Sequence, residues 1–139
     1  MSNGRRAGAG NTYRTGYLRS RTWYARRRRW FQDETARHGS VRCAVTGQAG
    51  TTRNLQLHHV DYSGVDRGPA GWIAGEAHED LVALRPDVHE ALHRMLDTDQ
   101  VLRRNLDRRL ATRVAIRKLR SRLSTTVHSW CAPHEGAAQ

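Results

Sequence analysis

Two pairs of histidines constrain this chain more than anything else in it. His89 and His93 stand four residues apart in the stretch His89-Glu90-Ala91-Leu92-His93. On a helix, side chains at i and i+4 project from one face about a turn apart. That spacing suits two imidazoles binding one metal ion. His58 and His59 close the apolar stretch Leu55-Gln56-Leu57 upstream. His58 can supply a third ligand from a strand. His59 then sits beside the ion without being needed to hold it, which is where a general base belongs.

Size and charge set the frame around this site. A chain of 139 residues with 37% apolar residues and a mean hydropathy of -0.78 makes one small domain with a modest core and extensions. The net charge is +11, almost all of it from arginine, since Lys118 is the single lysine. Such an excess points to a polyanionic partner, most simply nucleic acid. Two cysteines, Cys43 and Cys131, are too few for a disulfide framework or a four-cysteine zinc site, and they fit a reduced, cytoplasmic setting. No apolar run approaches the roughly 20 residues of a membrane span, and Met1 to Thr12 lacks the apolar region of a secretory signal.

Along the chain, residues 1–12 read as a flexible basic tail. Ser20 is placed to cap a helix over about 20–38, with Gly39 past its end and an apolar stripe of Trp23, Trp30 and Phe31. Arg26, Arg27, Arg28 and Arg29 are consecutive, so they wrap around that helix. Aromatic neighbours and the basic chain favour phosphate contacts for them over a merely solvated face. Val41 to Val45 and Asn54 to His58, separated by turn residues, predict a β-hairpin ending at the histidine pair. Val60 to Glu79 reads as a long irregular loop, and Leu81 to Leu84 as a short apolar segment. Pro86 and Asp87 start a helix over Val88 to Leu96. Asp97 or Asp99 caps a further helix to about Leu123, apolar on one side and arginine-rich on the other. Trp130 is expected to pack back on the domain, before a polar tail over 131–139.

Hairpin, histidine pair, loop and histidine-bearing helix together resemble the HNH endonuclease family, with its ββα-metal core. The resemblance covers Tyr17 to His93, including the upstream segment Tyr17-Leu18-Arg19-Ser20-Arg21-Thr22-Trp23 that is similar to bacterial and phage members. It implies an α+β fold in one domain over about 13–130. The ββα core would cover about 41–96, flanked by an N-terminal helix (20–38) and a long C-terminal helix (98–123). It implies His58, His89 and His93 as metal ligands and His59 as general base. Asp80 falls at the middle position, nine residues before the first helix histidine, where relatives usually carry asparagine. Glu76 stands where relatives often carry glutamate, with a structural role expected. The family's structural-zinc knuckles are missing: Cys43 remains, but Thr46, Arg85 and Val88 stand at the other positions, so no structural zinc is expected.

The expected activity is metal-dependent hydrolysis of DNA phosphodiester bonds. One divalent ion per chain would serve it, magnesium or manganese in use, with zinc or nickel able to occupy the site. His59 would accept a proton from the attacking water, and Asp80 would accept the other ring N–H of His59 and fix its tautomer. Arg26 to Arg29, with Arg103, Arg104, Arg108, Arg109, Arg113, Arg117 and Arg120, would clamp the nucleic-acid backbone without reading its sequence. No membrane partner is expected; a phage or bacterial protein partner remains open. Two rivals stand beside this reading: a non-catalytic DNA-binding protein that retains the fold, and a ribonuclease using the same site.

Overall fold

Helix α1 (Arg21–His38) begins and ends where its capping residues require. The Ser20 hydroxyl accepts a hydrogen bond from Trp23 N, and Gly39, at φ 78°, closes the last turn by donating to Thr35 O. The computed structural model describes residues 14–104 and 106–130. The N-terminal and C-terminal tails inferred from sequence lie outside those residues, as does the Trp130 side chain. Trp23, Arg26, Trp30 and Phe31 form the buried face of α1. Three of them are the expected aromatic stripe. Arg26 is the exception, and it falls at i+3 from Trp23, which puts it on the same face.

Three two-stranded antiparallel sheets follow among the described residues. β1 (Val41–Arg42) pairs with β2 (Ala49–Gly50). β3 (Gln56–His59) pairs with β6 (Leu81–Leu84), in the register Gln56↔Leu84 to His59↔Leu81. β4 (Val65–Gly68) pairs with β5 (Gly71–Ala74). The predicted hairpin of 41–45 with 54–58 is therefore not formed. The turn around Gly47 (φ 72°), where Gly47 N donates to Cys43 O, sends the chain straight back into β2. β3 instead buries Leu57 and both histidines against the apolar strand Leu81–Leu84.

The predicted irregular loop is also ordered. Gly68 and Gly71 face each other across Pro69 and Ala70, and they close a tight β4–β5 hairpin. At its base Gly75 N donates to Gly64 O at 2.8 Å. A Cβ on Gly64 would lie 2.4 Å from the Gly75 carbonyl oxygen, so this approach requires glycine.

Helix α2 (Pro86–Thr98) starts with proline in its first turn, as expected, and buries Leu92 and Met95. The single long helix predicted after it is two helices. Asp99 caps α3 (Gln100–Arg104) through Val101 N and Leu102 N, and Asp107 caps α4 (Arg108–Trp130) through Leu110 N. The aspartate at 107 restarts the helix and so breaks the run. Leu102, Ala111, Ala115 and Ile116 join Leu84, Leu92 and the α1 aromatics in one core. The architecture is α+β, and no helix among the described residues is long and apolar enough to cross a membrane.

Candidate metal centre and its buried histidine

β3 ends in two histidines, β6 supports it, and α2 packs beside it. This arrangement brings His58, His89 and His93 together, with one ring nitrogen from each lying within 4.8 Å of the other two. His58 Nδ1 is 3.3 Å from His89 Nε2, which is 3.0 Å from His93 Nε2. Two nitrogens bound about 2.0–2.1 Å from one tetrahedral ion stand roughly 3.3 Å apart, so the spacing suits a shared cation. Gln56 Oε1, 2.8 Å away, accepts the Nδ1 proton of His89. The His89 lone pair is thereby left on Nε2, aimed into the cluster.

Electrostatics keeps these rings neutral. Burial, and then the neighbouring His89 and His93, lower the pKa of His58 to about 2. Burial, and then His93, lower that of His89 to about 4. His93 is lowered by burial and by Arg108 and Arg14, against an opposing pull from Asp97. Neutral imidazoles carry the lone pairs that a cation needs. His58 Nε2 is buried with no hydrogen-bond partner among the described residues, as befits a ring whose orientation serves its other nitrogen. The residues present fit one divalent ion.

His59 occupies a different environment. Its side chain is 2% exposed, stacked on Tyr62 (centroids 4.1 Å apart) and packed against Trp23 and Tyr17. His59 Nε2 lies 2.8 Å from Glu76 Oε2, while Nδ1 makes no hydrogen bond among the described residues. Tyr17 OH donates to the same carboxylate, 2.9 and 2.8 Å from its two oxygens, and Arg26 Nη2 donates to the Glu76 carbonyl. Burial alone would raise the pKa of Glu76; hydrogen bonds from His59, its own backbone and Tyr17 outweigh it and hold the carboxyl below its usual range. The ionised Glu76 accepts the Nε2 proton of His59, which leaves the lone pair on Nδ1.

Asp80 does not do this work. Arg109 grips both its oxygens, Nε to Oδ1 at 2.9 Å and Nη2 to Oδ2 at 3.0 Å, and also reaches Asp61 Oδ2 at 2.9 Å. Asp80 closes a short turn (His78–Asp80) next to β6, from which its side chain meets α4 rather than the His59 ring. The partner of His59 is Glu76. The sequence signal for it was the glutamate position of the resemblance, where Glu76 stands.

The arginines divide into two groups. Arg26 is buried, so it cannot join a clamp. Arg27 donates to Thr52 O and Leu55 O and stacks on Phe31, fastening α1 to the segment before β3. Arg109 is engaged by Asp61 and Asp80, and Arg120 Nε donates to Ala44 O. Arg28, Arg29, Arg103, Arg104, Arg113 and Arg117 lie exposed, and Arg108 is half-buried.

The buried sulfur of Cys43 sits near the backbone N–H groups of Thr46 and Arg85, each at 3.5 Å. No family model matches this chain, and no curated protein or solved structure matches it either.

Proposed function

We propose that this chain is a metal-dependent endonuclease of the HNH type that hydrolyses DNA phosphodiester bonds. The observation that carries the reading is the convergence of His58, His89 and His93 at one point, with His59 next to the first of them on β3 and locked by Glu76. The antiparallel pairing of β3 with β6, followed by helix α2, supports reading this region as a ββα core. The positive charge of the chain supports a nucleic-acid substrate.

His58, His89 and His93 would hold the ion, which when bound supplies Lewis acidity toward a phosphate oxygen. Manganese or magnesium is the proposed working ion; the all-imidazole donor set also accommodates zinc or nickel. His59 accepts the proton of the attacking water at Nδ1. Glu76 stabilises the imidazolium that results, because its carboxylate stays ionised and already faces Nε2–H. Tyr17 holds Glu76 in place, and Trp23 and Tyr62 prevent the His59 ring from rotating.

The test is nicking of supercoiled plasmid by the purified chain with manganese or magnesium. Conversion to open circles that stops with chelator supports the reading. One observation favours a second reading, a non-catalytic DNA-binding protein: the near-complete enclosure of His59. Plasmid binding without nicking under any of the four ions would establish that alternative.

A further inference from the structure

Next to the histidine cluster, on the side of His93, lies a pocket of about 350 Å³. Its polar lining consists of Arg14, Arg103 and Arg108, with His93 and the single carboxylate of Asp97; leucines and Ala111 form its apolar floor. Arg14 and Arg108 approach through one ring. Their guanidinium carbons lie 4.7 and 5.2 Å from the ring centre of Tyr62, the tyrosine on which His59 stacks. Among the described residues, neither arginine has a carboxylate within ion-pair distance. Arg108 Nε is buried without a hydrogen-bond partner. Arg109, one residue on, is by contrast satisfied by two aspartates.

Two guanidiniums on one ring repel each other. Burial and then the charge of Arg14 lower the pKa of Arg108, and both cations bear on His93. Cation–π attraction to Tyr62 opposes this repulsion. Asp61 and Asp97 act on Arg108 from a distance without pairing with it; what the pair lacks is an anion in contact, and a planar fork of donors matches the oxygens of phosphate.

We propose that Arg14 and Arg108, presented on the Tyr62 ring, form a subsite for a backbone phosphate adjoining the one that is cut. The subsite rests on the nuclease reading for its substrate, but its phosphate chemistry is independent of that reading. Tyr62 links the two functions: the ring that orients His59 also carries the cations that fix the strand.

Two arms test the proposal on the full-length chain. In the first, inorganic phosphate is titrated while the Nε–H signals of Arg14 and Arg108 and the ring signals of Tyr62 are followed by NMR. Saturable shifts at all three are expected in the native chain, and the Tyr62 shift should vanish in the Arg14→Gln/Arg108→Gln variant. Their absence in the native chain overturns the subsite.

The second arm measures duplex DNA affinity against salt. Each lost phosphate contact flattens the slope of log K on log salt by about 0.9, so the double variant, which loses the one phosphate held by the pair, should be shallower by about that amount. Arg14→Lys/Arg108→Lys should restore most of the slope, which a purely structural role would not do. Should phosphate bind at the pair while DNA affinity and slope stay unchanged in the variant, the occupant is a small phosphate compound, and the backbone assignment is wrong. A native chain that neither binds nor cuts DNA overturns the nuclease reading, whatever the first arm shows.

Discussion

Replacing Glu76 with glutamine should cost stability and activity together while sparing the metal cluster. The carboxylate is fully buried and accepts from His59 Nε2 at 2.8 Å and from Tyr17 OH at 2.8–2.9 Å. A hydrogen bond to an ionised group contributes about 1.5–3 kcal/mol, and a buried donor left unpaired costs about 1–3 kcal/mol. Glutamine keeps the shape and one acceptor oxygen, so one of the two donors keeps a weaker neutral bond and the other faces an NH₂ group. The net loss is about 2–4 kcal/mol, within the margin of a domain stable by 5–15 kcal/mol, so the variant still folds. If the glutamine NH₂ turns toward His59, the ring must carry its proton on Nδ1 and cannot accept one there. Loss of such an orienting partner typically lowers activity about 10–100-fold. Urea unfolding and single-turnover cleavage on the same preparation measure both effects. A folded Glu76→Gln protein that cuts at the native rate, or one that loses its metal affinity, would refute the assignment of Glu76 to His59.

Three further outcomes are expected. His58, His89 and His93 have pKa values lowered by folding, so unfolding takes up protons below about pH 6.5. Stability of the metal-free chain should therefore be complete above that pH and fall as pH drops toward 4, by up to about 1.4 kcal/mol per pH unit for each of His58 and His89, with a smaller, solvent-screened share from the exposed His93; urea midpoints that do not move between pH 7 and 5 would contradict this. Gly64→Ala would put a Cβ 2.4 Å from Gly75 O, and the forced shift should cost about 1–3 kcal/mol and displace Glu76, so that cleavage falls even at temperatures where the variant is folded. Cys43 has no partner thiolates at Thr46, Arg85 or Val88, so elemental analysis of Cys43→Ala should find the same metal content as the native chain, and EDTA should not unfold either protein.

Local signals in the sequence were strong where short-range physics decides the structure. Ser20 and Gly39 bounded α1, Pro86 started α2, and the four-residue spacing of His89 and His93 set one face of a helix. Pairing over distance was not legible. β3 reaches past the whole β4–β5 hairpin to find β6, and the turn at Gly47 made a sequential hairpin look sufficient. The place of Asp80 in the chain suggests it as the partner of His59, but Arg109 holds its carboxylate. The actual partner depends on two glycine backbones meeting at Gly64 and Gly75, a contact that has no periodic signature. Among the arginines, charge density suggested a clamp, whereas helical phase put Arg26 inward beside Trp23 and Trp30. The Asp107 cap that splits the last helix was visible in the sequence but masked by the apolar positions running on either side of it.

The central claim is that one residue, His59, does the proton transfer while three other histidines hold the ion. Native and His59→Ala protein, each loaded with one equivalent of manganese as verified by calorimetry, should be compared on supercoiled plasmid under single-turnover conditions. The account predicts equal manganese affinity and a cleavage rate about 10²–10⁴-fold lower in the variant. Native-rate cleavage by His59→Ala, or loss of its manganese, would contradict it.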